Sequence, residues 1–262
     1  MKLITAVLLT LLTVNAVAKP KKVTAPAPVE QSNVVVNQTT DSVVVGNNAD
    51  AVHSMASITK LMTAMVVLDH GYNTAREIRL KTPYMGKRVY TVKELLDLAL
   101  IRSDNHASEI LSKNVLGSRD EFIEHMNRKA WSLGMFTARF ADPTGISADN
   151  SATAKDIAKM VVAAGQYPDI RRSVLHTVEV TSPQGRNTRT VSVNNTNKDI
   201  LTEFDNILVS KTGTTTRAGK CLALLVEKAG NMYAIVILGE PSKVKRDNRA
   251  RYLLANYVAS GQ

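Results

Sequence analysis

The sequence predicts an α+β fold, an antiparallel sheet flanked by helices with a mainly helical block inserted between its strands. Three observations carry this. Short β-branched runs stand near the start, at residues 34–36 and 43–45. The middle of the chain carries helix starts followed by apolar residues at helical spacing, and the last third returns to strand-like runs at 206–210, 220–226 and 232–238 before a closing helix. Strands, then helices, then strands do not alternate as βαβ units would, so a parallel doubly wound sheet is not expected.

Composition narrows the class. With 262 residues, 44% of them hydrophobic, the chain can bury a full core without disulfides or a structural metal. A single cysteine excludes a disulfide scaffold and any multi-cysteine metal site. Cys221, inside the apolar run 219–226, reads as a buried core thiol.

Taken in order, residues 1–18 have one early positive charge at Lys2, an apolar run from 3 to 14 and an Ala16-Val17-Ala18 ending. This is the layout of a secretory signal peptide cut after Ala18, and it predicts an extracytoplasmic, periplasmic location. Residues 19–38, with Lys-Pro-Lys-Lys and Ala-Pro-Ala-Pro, read as a flexible linker, and 39–262 as the folded domain. The two β-branched runs, the second followed by Gly46-Asn47-Asn48, suggest a hairpin. Residues 57–69 are apolar on nearly every side, as in a helix at the centre of a core. Thr91 with Glu94 and Ser118 with Glu121 are capping boxes, the first opening a helix through Ile101, the second a helix with Phe122 and Met126 on one face. A third helix spans 153–164 and stops at Gly165. Trp131, Phe136 and Phe140 are expected in the core, and Lys243, Lys245, Arg246, Arg249 and Arg251 on a solvated face of the last helix, 243–258.

Three motifs occur in sequence: Ser57-Ile58-Thr59-Lys60, Ser103-Asp104-Asn105 and Lys211-Thr212-Gly213. Alone each is weak. S-x-x-K recurs at Ser242–Lys245, and S-x-N at Ser112 and Ser192. Position adds weight. Ser57 opens the most apolar helix, so Lys60 stands one turn on, partly desolvated, where a neutral amine can take the serine proton. The helix N-terminus favours the developing anion. Ser103-Asp104-Asn105 ends a buried helix, so its side chains project from a fixed loop. Lys211-Thr212-Gly213 ends a strand, where the lysine and hydroxyl make a carboxylate site and the glycine lets a substrate backbone approach the edge.

The ordered set resembles the active-site serine family of penicillin-binding proteins and class A β-lactamases. Further segments are similar to the low-molecular-mass, D-alanyl-D-alanine carboxypeptidase and endopeptidase branch: residues 56–64, Leu133-Gly134-Met135, 140–145, 150–154 and 218–221. The resemblance implies a β-lactamase/transpeptidase-like fold and a peptidase acting on peptidoglycan stem peptides or cross-links. It implies that Ser57 attacks the penultimate D-alanine carbonyl and forms an acyl-ester, with Lys60 as proton acceptor. Ser103 passes the proton to the leaving amine and Asn105 orients Lys60 and the substrate amide. Lys211 and Thr212, with Thr214 beside them, hold the terminal carboxylate, and the backbone N–H groups of Ser57 and Thr214 form the oxyanion hole. No metal or organic cofactor is implied, and β-lactams are expected as covalent inhibitors.

Two rivals are weighed against this. A class A β-lactamase needs a water-activating glutamate before the third motif, and none occurs between Glu124 and Glu179. A non-catalytic wall-binding or sensor module would not need the complete residue set. The excess of 33 basic over 23 acidic residues, a formal +10, is spread out and lacks interleaved aromatics, so nucleic-acid binding is not expected. Weak contact with an anionic envelope is the functional reading of that charge.

Overall fold

A computed structural model describes residues 30–71, 73–82, 86–184 and 187–258. Strands β1 (Ser32–Asn37) and β2 (Ser42–Asn47) form a hairpin. A short β3 (Val52–Ser54) leads into a 3-10 turn, Ala56–Thr59, and helix α1 (Lys60–Asp69). The inserted block continues with hairpin β4 (Glu77–Thr82) and β5 (Gly86–Thr91), helices α2 (Val92–Leu100), α3 (Asn105–Val115) and α4 (Arg119–Ser132), then β6 (Ser151–Thr153), α5 (Ala154–Ala164) and the short α6 (Pro168–Arg171). A second hairpin, β7 (Thr177–Gln184) and β8 (Asn187–Asn194), and α7 (Lys198–Glu203) precede three long strands, β9 (Ile207–Thr215), β10 (Gly219–Lys228) and β11 (Asn231–Glu240). Helix α8 (Lys243–Leu253) closes the fold, with one π-helical turn after it.

The main sheet is antiparallel in the order β2-β1-β11-β10-β9, so N-terminal and C-terminal strands share it as expected. Its central strands are apolar on both faces, with the two faces alternating residue by residue. Ala223 and Leu225 on β10, and Ala234, Val236 and Leu238 on β11, join the core that contains α1 and α5. Leu222, Leu224 and Val226, with Tyr233, Ile235 and Ile237, meet Ala250, Leu253 and Leu254 of α8 on the other side. Helix α1 lies inside the helical block with every residue from Lys60 to Val67 buried.

Caps follow the sequence closely. Thr91 and Glu94 form the full capping box of α2. Ser118 caps α4 through its side chain, accepting from the Glu121 N–H. Thr153 caps α5 in the same way, and α5 stops at Gly165. Ser242, the start of the stray S-x-x-K, is the N-cap of α8.

Four expectations are revised. The segment 19–38 is not linker throughout: β1 pairs along its length with β11, and Val34 and Val35 are fully buried. The β-branched run at 34–36, read above as part of a hairpin, draws residues 32–37 into the sheet. The signal peptide lies outside the described residues. Trp131 and Phe136 are 69% and 66% exposed, stacked edge-to-face on one another at 4.8 Å, while Phe140 alone of the three is core. Arg246 is buried on α8 rather than solvated. The hairpins β4–β5 and β7–β8, the β3–β6 pair and helix α3 were not expected.

Candidate active site

The S-x-x-K segment straddles a junction, since Ser57 lies in the 3-10 turn and Lys60 is the first residue of α1. Side chains at i and i+3 eclipse one another in a 3-10 turn, which stacks this pair in one column. Lys60 Nζ lies 2.9 Å from Ser57 Oγ, 2.7 Å from Asn105 Oδ1 and 2.6 Å from the Thr144 carbonyl oxygen. A neutral amine has two hydrogens for the two carbonyl-type oxygens, which leaves its lone pair for the serine proton. Burial favours that form: it lowers the Lys60 pKa from 10.5 to about 8, against the opposing pull of Asp142 and Asp104.

The nucleophile turn is clamped from two sides. Ala56, just before Ser57, has φ +48, a left-handed conformation that costs a non-glycine residue about 1 kcal/mol or more. Gly145 packs directly on it; a Cβ there would fall 1.9 Å from the Ala56 carbonyl oxygen. Gly213 of β9 closes the other side, where a Cβ would stand 2.8 Å from the Met55 carbonyl oxygen. The edge strand can therefore lie against the nucleophile turn only with glycine at this position.

The loop carrying Gly145 is itself built around one carboxylate. Asp142 accepts from the N–H groups of Thr144, Gly145 and Ser147 and from the Thr144 hydroxyl, and these bonds hold its pKa below the usual carboxylate value despite burial. Asn150 ties the loop to Thr59 beside the nucleophile. The result is a fixed Thr144 carbonyl in front of Lys60.

Ser103 joins α2 to α3 with φ +63, and Asp104 next to it caps α3. Lys211, fully enclosed on β9, donates to Ser103 Oγ at 2.9 Å and to the Thr212 carbonyl oxygen at 3.0 Å. Burial, then the positive charges of Lys60 and Arg246, push its pKa well below the ordinary lysine value. The Thr212 hydroxyl pairs with that of Thr196 at 2.7 Å.

All eight residues singled out in the sequence meet in this region. Ser57, Ser103, Asn105, Thr212 and Thr214 line a cleft of about 370 Å³, Lys60 and Lys211 stand beneath it, and Gly213 forms the seam. Among the described residues none of the cleft-lining groups is a carboxylate; Lys220, Lys243 and Arg246 are cations. Such a surface receives an anion.

A family model described as D-alanyl-D-alanine carboxypeptidase matches residues 19–85 and 72–242. The chain belongs to the D-alanyl-D-alanine carboxypeptidase family. It is 36% identical over 239 residues to a D-alanyl-D-alanine endopeptidase of Escherichia coli, covering 86% of this chain and 76% of that one. A protein of the same description from Pseudomonas aeruginosa is also 36% identical, over 80% and 72% of the two chains. The cefotaxime-bound penicillin-binding protein D2 of Listeria monocytogenes superposes with a TM-score of 0.73 at 25% identity, covering 86% of this chain and 95% of that one. A Streptomyces DD-transpeptidase shares the fold, with a TM-score of 0.79 at 24% identity over 89% and 98% of the chains.

Within this member of the D-alanyl-D-alanine carboxypeptidase family, sequence reasoning missed the contribution of the end of the chain. Arg246 is buried, paired with Asp247 and within 3.5 Å of Asn197, and lines the cleft with Lys243. The available signal was Asp247 directly after Arg246; in the structure the two pair, and Asp199 and Asp247 both bond to Lys243.

Proposed function

We propose that the chain is a serine-type D-alanyl-D-alanine peptidase of peptidoglycan, hydrolysing stem peptides or their cross-links through an acyl-ester on Ser57, and that it works outside the cytoplasmic membrane, to which the leader-like residues 1–18 direct it. The observation that carries the reading is the three-way setting of Lys60 Nζ, between the nucleophile and two oxygens that fix its hydrogens. The endopeptidase relatives at 36% identity support the cross-link as one substrate.

The chemistry follows from that setting. Ser57 Oγ bonds to the carbonyl carbon as its proton passes to Lys60. The oxyanion is received by the Ser57 and Thr214 N–H groups, between the start of α1 and the edge of β9. Collapse breaks the C–N bond, and the departing amine takes a proton through the Ser103 hydroxyl. The substrate carboxylate lies toward Lys211 and Arg246; an arriving anion raises the pKa of Lys211 and favours its charged form. Water then cleaves the ester and returns the proton to Ser57.

A β-lactam follows the same first steps, but its leaving amine stays tethered. The tethered amine stays beside the ester and hinders water, and among the described residues no carboxylate lines the cleft to activate it, so the ester persists. Intact mass of the protein after penicillin treatment tests this. The wild type gains one penicillin and Ser57→Ala gains none. An unmodified wild type with penicillin intact would sink the reading, and consumed penicillin without an adduct would make the chain a β-lactamase. Digestion of cross-linked and uncross-linked peptidoglycan fragments then identifies the bond cut.

A further inference from the structure

We propose that Trp131 and Phe136 form a sugar-stacking platform that takes the glycan strand, the chain of uncharged N-acetylated sugar rings from which stem peptides branch. This rests on the peptidoglycan reading above and adds a second site for the same polymer, outside the catalytic cleft.

The fold holds these two rings out in water. Helix α4 ends at Ser132, and the chain folds back so that the Met135 N–H reaches the Ala130 carbonyl oxygen at 3.0 Å. Ala130 and Met135 are buried, which leaves their sequence neighbours Trp131 and Phe136 side by side on the outside, 4.8 Å apart with planes at 65°. The turn is fixed from α5. Asp156, 5% exposed, accepts from the Thr137 N–H at 2.9 Å and from its hydroxyl at 2.7 Å, and its other oxygen lies 3.0 Å from Lys159 Nζ. Lys159 also donates to the Gly134 carbonyl oxygen and stands 5.9 Å over the Phe136 ring. Two large exposed rings held in place by a buried carboxylate are preorganised for contact with a partner.

Area and charge select the occupant. The two side chains expose roughly 300 Å² between them, well short of the about 800 Å² per partner that a stable protein interface buries. An anionic lipid surface calls for a cluster of unpaired cations. Here Arg128 pairs with Glu124, Lys129 with Asp69 and Lys159 with Asp156. Arg139 alone among the cations of residues 124–139 has no ion-pair partner among the described residues. The patch therefore suits a small neutral ligand with an apolar face. A pyranose chair presents slightly positive C–H bonds on its broad face, which complement the negative face of an aromatic ring, and keeps its hydroxyl and amide groups at the rim in water. Because Lys159 already stands over Phe136, Trp131 offers the open face, and Phe136 forms a side wall to it.

Trp131 is the sole tryptophan of the chain, so tryptophan emission reports on this site alone. Titration with the β-1,4-linked tetramer of N-acetylglucosamine, which carries no peptide, should shift the emission to shorter wavelength and saturate. Phe136→Ala should weaken that binding about fivefold. No shift overturns the platform. So does a shift given only by vesicles of phosphatidylglycerol and phosphatidylethanolamine, which would make the patch a membrane face. Activity then separates binding from structure. Trp131→Ala should open cross-links in intact peptidoglycan about fivefold more slowly than the wild type, because the second attachment is lost. Sugar-free cross-linked peptides and penicillin should react with it at the wild-type rate. Equal losses on all three substrates would make the effect structural and overturn the proposal. A wild type that binds the tetramer but is not acylated by penicillin would overturn the peptidase reading and leave the sugar platform standing.

Discussion

Ser57 Oγ and Ser103 Oγ each lie 2.9 Å from the Nζ of an enclosed lysine, yet the two lysines keep opposite electrostatic company. Lys60 has Asp142 and Asp104 within reach, and their pull holds its pKa at about 8 in spite of burial. Lys211 has Lys60 and Arg246 as its charged neighbours, and both add to the effect of burial. Equal hydrogen-bond lengths therefore do not make equal roles. A lysine that titrates near neutrality can accept a proton and give it back. One whose pKa is lowered first by burial and then by like charges is primed for an incoming anion, whose arrival offsets both.

The largest test of this contrast is Lys60→Met, which keeps the volume of a fully buried side chain while removing the base. Acylation by penicillin should fall about a thousandfold with the melting temperature little changed, read by stopped-flow and thermal unfolding. The wild type should also show a pH profile fixed by Lys60. Below about pH 8 the amine is protonated and acylation falls, approaching tenfold per unit, and above it the rate levels. A flat profile from pH 6 to 9 would separate Lys60 from the proton transfer.

Lys211→Met should cost less, about a hundredfold, and the loss should depend on the ligand's charge. Comparing penicillin with its methyl ester checks this. The wild type should prefer the acid, and the variant should treat the two nearly alike. Equal loss on both would make Lys211 a partner of Ser103 alone. Asn105→Ala is the smallest expected effect, about tenfold, because Thr144 still anchors Lys60. Its pH midpoint should move, whereas that of Lys211→Gln should move less, because the charges acting on Lys60 are those of Asp142 and Asp104.

The aromatic residues show why some expectations fail. Trp131 and Phe140 stand in the same apolar-looking stretch, and only the second is in the core. Helix α4 turns Phe122, Met126 and Ala130 inward, which leaves Trp131 one position off that face. Arg246 is the reverse case. The helix carrying it is rich in charge, but α8 packs along its length on β10 and β11, and Arg246 and Asp247 are buried as a pair. The β7–β8 hairpin was missed because its strands mix polar and β-branched residues; among the described residues Val178, Val180 and Val193 pack against Ile101, with Tyr90 and Leu98 beside them.

What the sequence determined by itself is local: the helix starts at Thr91, Ser118 and Thr153, the apolar character of α1, the strands of the C-terminal third, and three short motifs whose residue types suit acyl transfer. These are set by capping, by apolar periodicity and by side-chain chemistry within a few residues. What the tertiary structure decided is everything that depends on meeting across the chain. Lys60 finds Asn105 and the Thr144 carbonyl, Lys211 finds Ser103, and Gly145 and Gly213 close on the turn at Ala56. Two lysines with similar local settings diverge because their neighbours arrive from distant segments, and charge acts through space rather than along the chain.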